Sequence, residues 1–445
     1  MNKNKDYLIT EKPSRALFAF ALPMIIGNLF QQAYTIVDSA IVGHYVGETA
    51  LAAVGASYAL TSIFICVAIG GGIGASVIIS QHFGGHAYIR MKNSIRTAML
   101  SFLLISLLLG GIGLCFSRQI MEALNTPADA MDIAVIYLNI YFYGLPFLFM
   151  YNILSSMFNA LGESRIPLYL LIFSSVLNIF LDLYMVATLH LGVAGAAYAT
   201  FIAQGISAVC SFLIFLHTLR RLDGKAETWF SKAEFSSMSR IALPSILQQS
   251  TVSIGMMLVQ SVVNGFGTQI LAGFSASMRI ESLCVVPMSA IGNALSSYTA
   301  QNIGAEKHER IPLGYRAANI MVAITAVILC LFLELLHRPL IALFLDGAPS
   351  AQTVATGEGY LKFIGFFFCM IGFKMAVDGI LRGAGAVKVF TIANLVNLGL
   401  RVLIAKFGAP VYGIAMVWYA VPLGWLANFL ISYGYYRTGK WKQLK

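Results

Sequence analysis

The sequence predicts an all-α integral membrane protein: twelve transmembrane helices in two six-helix bundles, related by a pseudo-two-fold axis along the membrane normal. Composition is the first reason. Of 445 residues, 58% are hydrophobic and 11% charged, too few charges to coat the surface that soluble domains of this length expose. The second is that apolar runs of about 20 residues, the length that crosses the hydrocarbon core as helix, recur from Leu17 to Tyr436 with short polar breaks. The third is an internal repeat at a shift of 220 to 221 residues.

Backbone groups in lipid must be satisfied within the protein, which leaves helices or a closed barrel, and long unbroken runs lack the alternation of barrel strands. In chain order the spans are expected at 15–38, 51–79, 95–117, 133–158, 165–188, 193–218, 240–264, 270–300, 316–337, 360–381, 389–407 and 411–436. The polar start Met1 to Lys12 leads into a run from Arg15 to Val37 with no small-residue cleavage site, so the first span is expected to stay as a permanent helix. Pro23, Pro146, Pro244 and Pro287 fall inside spans, where a missing amide and a ring clash bend the helix. The cluster Gly70, Gly71, Gly72 and Gly74 permits close helix packing in lipid. Cys66, Cys115, Cys210, Cys284, Cys330 and Cys369 lie singly, without the paired spacing of a metal site or redox motif, and read as small packing residues.

The formal charge of +10 is not accompanied by a basic aromatic stretch or a soluble domain, so it does not point to nucleic acid. Its distribution points to topology instead. With the N-terminus in the cytoplasm, most of the Lys and Arg fall on the cytoplasmic side and the external side holds Arg118, Arg338, Lys362 and Lys406. That asymmetry in short loops places both termini in the cytoplasm.

In the repeat, Ala21, Leu22 and Pro23 return as Ala242, Leu243 and Pro244. Leu51, Ala56, Gly72, Gln81, Gly84 and Arg96 meet Leu271, Ala276, Gly292, Gln301, Gly304 and Arg316. A register kept across two helices and a polar loop indicates duplication. Six spans per copy return the chain to its starting side, which gives the parallel arrangement above and a substrate path between halves near mid-membrane. The organisation expected is a cytoplasmic N-terminus at 1–14, a first lobe at 15–218, a cytoplasmic linker at 219–239, a second lobe at 240–436 and a cytoplasmic C-terminus at 437–445.

An ionisable group at bilayer depth costs roughly 2.5 to 3.5 kcal/mol, so each one is a functional candidate. Asp38 ends the first span, and Asn178 and Asp182 share one face of the fifth, four residues apart. Amide and carboxylate oxygens so placed suit a small hard cation, and a carboxylate shielded from water can carry a proton in its place. In the second half, Glu281 lies near Arg279 in sequence, and Lys374 and Asp378 are four apart on one helix, which reads as internal ion pairing. Arg279, Lys374 and Arg401 read as embedded bases. Arg401 stands where Asn178 stands in the first copy, at a shift of 223 that also aligns Gly162 with Gly385. Glu281, Lys374, Asp378 and Arg401 are thus candidates of the second half, as structural pairs or functional groups.

The chain resembles the multidrug and toxic compound extrusion (MATE) transporters over nearly its whole length. The likeness is carried by Pro23, Gln31, Gln32, Asp38 and Gly43, by Leu51 to Gly55 (LAAVG), Gln301 to Ala305 (QNIGA) and Leu381 to Gly385 (LRGAG), in that order. It implies the MATE fold of the MOP superfamily and, in the DinF-like bacterial branch, a coupling-ion site at Asp38, Asn178, Asp182 and Thr200. Gln31 and Asn152, with Asp38, would then line a drug cavity. Other branches use a carboxylate in helix seven, and none stands between Arg240 and Gly267. The resemblance implies antiport of H⁺ or Na⁺ against organic, cationic small molecules in a bacterial inner membrane, by a monomer without cofactor.

Two other functions are open at this stage. A flippase of lipid-linked sugars, from the same superfamily, would want a broad cavity rich in Arg, whereas the first half offers acids. A membrane-embedded enzyme would want clustered His, Asp or Cys, and His82 and His86 share a loop without acidic neighbours in sequence. A channel fits the duplication less well than alternating access does.

Overall fold

The computed structural model describes residues 6–46, 48–124, 126–345 and 350–443. The side chains of Val42, residues 48–54, Ala56, Ala59, Asp129 and Gln443 also lie outside the described set, which takes in most of the Leu51 to Gly55 motif.

Segments that must close their own backbone hydrogen bonds in lipid become helices, and among the described residues every regular element is helical. The first half holds α1 (Tyr7–Thr10), α2 (Pro13–Val46), α3 (Glu48–Gly84), α4 (Tyr88–Ala123), α5 (Ala128–Ala160), α6 (Arg165–Asp182) and α7 (Gly192–Arg220). The second holds α8 (Lys232–Asn264), α9 (Thr268–Gly304), α10 (Arg310–Ala342), α11 (Ala351–Gly365), α12 (Phe368–Gly383), α13 (Val387–Leu403), α14 (Ala409–Tyr412) and α15 (Ala415–Arg437). Among the described residues, eleven helices are long and apolar enough to cross a bilayer, and one bent pair, counted as one span, makes a twelfth.

That pair corrects the span expected at 360–381. It is α11 and α12, meeting at 52°, and the break follows Gly365, the residue type that, after proline, least favours continuing a helix. The fifth and eleventh spans carry another departure from regular helix. Wider π-helical turns occupy Leu183–Thr188 and Ile404–Gly408, at equivalent places in the two copies. Such turns widen the backbone ladder and gather at functional positions. The left-handed positions repeat as well: His86 with Glu306, Gly162 with Gly385, and Gly192 with Gly413.

By packing, the chain forms two compact units, one of Ile26–Ile246 and one of Met1–Ile25 with Leu247–Lys445. The lobes expected at 15–218 and 240–436 follow whole helices; the units instead divide α2 and α8 two residues beyond Pro23 and Pro244. Side-chain contacts give the reason. Ala16, Leu17, Phe20 and Ala21 of α2 are buried in the core that contains Ile291, Ala294, Leu295 and Tyr298 of α9. Ala242 and Ile246 of α8 press on the glycine cluster of α3, where a Cβ at Gly70 would meet Ile246 N at 2.5 Å and one at Gly74 would meet Ala242 Cβ at 2.6 Å. Gly71 and Gly72 leave equally little room against Phe102 and Ser156, so the cluster is a packing surface.

Candidate functional site

In the unit of Ile26–Ile246, four helices aim polar groups at one place. Tyr34 and Asp38 are one helical turn apart on α2, as Asn178 and Asp182 are on α6, so each pair shares a face. Tyr34 Oη donates to Asn178 Oδ1 at 2.5 Å. Asn178 Nδ2 donates to Thr200 Oγ1 of α7 at 3.3 Å, and that hydroxyl donates to the Ala196 carbonyl at 3.1 Å. The four residues Asp38, Asn178, Asp182 and Thr200 are therefore brought together, with Tyr34 as a fifth member.

Asp182 is fully buried and Asn178 nearly so, 0% and 2% exposed. Neither oxygen of Asp182, nor Oδ1 of Asp38, meets a hydrogen-bond donor among the described groups. The two carboxyls instead lie within reach of each other, with Tyr137 of α5 beside both. Two carboxylates cannot both stay charged in a dry site without a cation between them. The donors present are carboxylate, amide and hydroxyl oxygens, the set that hard cations prefer. A proton shared between Asp38 and Asp182 would satisfy the same geometry.

A small cleft of about 20 Å³ adjoins this place, lined by Tyr137, Tyr141, Gly144, Thr200, Phe201 and Gln204 among others. Tyr137 and Thr200 belong to both cleft and acid pair. Gln31 and Asn152 do not line this cleft. Gln31 is exposed on α2, its carbonyl accepting from Thr35, and Asn152 Nδ2 donates to the Leu148 carbonyl of its own helix. Tyr34 was legible in the sequence from its spacing to Asp38; Tyr137, on another helix, carried no such signal.

The second-half candidates fall into two buried groups. Lys374 Nζ sits 3.0 Å from Asp378 Oδ2, donates to Asn394 Oδ1, and Ser432 Oγ donates to Asp378 Oδ1 at 2.7 Å. The expected i, i+4 ion pair is present. The pairing of Glu281 with Arg279 is not. Arg279 is exposed, because a shift of two residues along a helix turns a side chain to another face. Glu281 instead accepts from Tyr360 Oη at 2.5 Å, and buried Arg401 supplies the nearby positive charge. His82 is also corrected, since its Nε2 lies 2.9 Å from Glu234 Oε2, an acid 152 residues away. Among the described residues, no three or more His, Cys, Asp or Glu are gathered for a metal ion.

The family model described as MatE matches this chain twice, at residues 23–184 and 244–406, one match for each copy of the repeat. The chain belongs to the MATE family. MATE proteins are transporters, not enzymes, and this one is a multi-pass membrane protein of the multidrug efflux class. It is 30% identical over 434 residues to the probable multidrug resistance protein YpnP of Bacillus subtilis, covering 97% of this chain and 96% of that one. It is 27% identical to the probable multidrug resistance protein YoeA of the same organism, over 100% and 98% of the two chains. A crystal structure of MATE in complex with MaL6 superposes with a TM-score of 0.91 at 22% identity, over 99% of this chain and 100% of that one, which places the MATE fold here.

Proposed function

We propose that this MATE transporter exports organic cations by antiport, with H⁺ or Na⁺ binding between Asp38 and Asp182. One observation carries the reading: two carboxyls lie within reach of each other in an oxygen-lined place, and three of their four oxygens are buried without a donor among the described groups. Such a place is costly when empty of positive charge and favourable when a cation or proton enters. Asn178 and Thr200 would complete an oxygen shell, and Tyr34 would hold the Asn178 amide in orientation. A cationic substrate drawn to the same negative charge competes with the coupling ion, and reciprocal linkage makes each ligand weaken the other. The acids, the branch-like motif at Asn178 and Asp182, and the missing helix-seven carboxylate together favour the DinF-like branch. Positive charge in the short loops favours cytoplasmic termini in a bacterial inner membrane, and the chain is read as a monomer.

The test is efflux of cationic dyes from proteoliposomes under separately imposed H⁺ and Na⁺ gradients. Asp38→Asn and Asp182→Asn should each lose gradient-driven efflux while still inserting and folding. Gradient-dependent efflux at the native rate in both variants would reject the site.

A further inference from the structure

Two polar stretches, expected from sequence as the cytoplasmic N-terminus and the cytoplasmic linker, are each fastened by side chains distant in sequence. In the unit of Ile26–Ile246, the linker is held by the start of α4. Lys92 Nζ donates to the carbonyls of Leu222 and Gly224 at 2.7 and 2.6 Å. Asn93 Oδ1 accepts from the amides of Glu227 and Thr228, and Thr97 Oγ1 accepts from the amide of Ser231. Glu234, 6% exposed at the start of α8, accepts from His82 at 2.9 Å and Ser94 at 2.8 Å.

The other unit has a clasp at the corresponding helix ends, made by different residues. There the end of α9, the turn after it and the start of α10 hold the segment around α1: Asn302 Nδ2 donates to the Leu8 carbonyl at 3.1 Å, Lys307 Nζ to the Ile9 carbonyl at 3.0 Å, and Arg310 to the Glu11 carbonyl. Leu8 and Ile9 are buried, 0% and 4% exposed. His82 near the end of α3 and Asn302 near the end of α9 correspond at a shift of 220, and the turn that follows each contains a left-handed residue, His86 and Glu306. In each case the stretch that leads into the first helix of one copy is fastened around the turn between the second and third helices of the other copy. The lead-ins are exchanged.

Exchange continues along the helices that follow. The first part of α2 is buried with α9, and the first part of α8 is packed on the glycines of α3 with no space for a Cβ. A gate would need a contact that opens cheaply. Releasing the linker would instead break at once the bonds of Lys92, Asn93 and Thr97 to its backbone and those of His82 and Ser94 to Glu234, a charged group, each of which stabilises the closed clasp.

From this geometry we infer that both clasps stay closed through the whole transport cycle. The bodies that move are Met1–Ile25 with Leu247–Lys445 and Ile26–Ile246, each carrying the lead-in of the other copy. Lys92, Asn93, Asn302 and Lys307 are then positioning residues of the transport cycle. The inference rests on the alternating-access reading given above, and its test separates the two.

Asn93→Cys with Thr228→Cys, in full-length protein whose six native cysteines are replaced, allows the linker clasp to be locked by a disulfide in proteoliposomes. Thr97→Cys with Ser231→Cys, where the short threonine hydroxyl meets the Ser231 amide at 3.0 Å, is the second pair should the first insert poorly. Efflux by the locked protein should remain within about twofold of the reduced protein, since conformational steps that leave the lock untouched set the rate. A loss of more than about tenfold on oxidation, restored by reductant, would show that the clasp opens and overturn the inference. Hydrogen exchange on the unaltered protein gives a readout that needs no efflux: the amides of Glu227, Thr228 and Ser231 should stay protected with and without Na⁺, at acid and neutral pH. Exposure of those amides under any of these conditions would equally overturn it. Absence of gradient-driven efflux in the native protein would reject the transport mechanism instead, leaving the exchange result to decide the clasp.

Discussion

At the scale of single residues, the acid pair and its neighbours divide into groups that carry charge and groups that orient. Tyr34 belongs to the second kind. Its hydroxyl donates to Asn178 Oδ1, and the amide thereby turns Nδ2 toward Thr200. A hydrogen bond of this sort contributes about 1 kcal/mol net. Tyr34→Phe should therefore weaken apparent coupling-ion affinity by about fivefold while leaving maximal efflux close to native. Ion-titrated efflux in proteoliposomes separates the two quantities, and a large fall in maximal rate at saturating ion would contradict the orienting role. The sequence made Asp38, Asn178 and Asp182 visible because buried acids are rare in lipid and helical spacing pairs their faces. It misassigned Glu281 for the same kind of reason. A short sequence distance to Arg279 says nothing about which face of α9 each side chain takes, and Tyr360 and Arg401 come from other helices.

At the scale of elements, apolar length made the helices legible, while backbone irregularities stayed hidden. The break after Gly365 and the π turns at Leu183–Thr188 and Ile404–Gly408 depend on how neighbouring helices pack, which one glycine among many in apolar runs does not reveal. The fastening of the linker was not legible because its partners Lys92, Asn93 and Thr97 lie more than a hundred residues earlier. The glycine cluster of α3 shows an element whose sequence meaning and structural meaning agree. A methyl group at Gly74 would stand 2.6 Å from Ala242 of α8, where backbone must shift to admit it. Gly74→Ala should cost about 1–3 kcal/mol as overpacking, read as a lower Tm of the detergent-purified protein. Gly111→Ala, with nothing within 4 Å of the added carbon, is the control and should be neutral or gain up to about 1 kcal/mol from helix propensity. Equal effects of the two substitutions would count against close packing as the role of Gly74.

At the scale of the whole molecule, duplication has kept the helices and their turns while separating the chemistry. The unit of Ile26–Ile246 holds acids without a basic partner; the second copy holds Lys374 against Asp378, and Asp378 also accepts from Ser432. A buried pair of this kind is costly to break and cheap to remove whole. Lys374→Met or Asp378→Asn alone leaves one charge buried and unpaired, and should lose about 3–5 kcal/mol of stability. The double variant removes both charges and should recover most of that loss. If ion coupling resides with Asp38 and Asp182, the double variant should also keep the native number of ions moved per substrate, because it leaves that carboxyl pair intact. Thermal unfolding of the three proteins and the reversal potential of dye efflux measure the two quantities separately. Additive destabilisation would deny that Lys374 and Asp378 act as a pair, and a changed ion stoichiometry would move part of the coupling into the second copy.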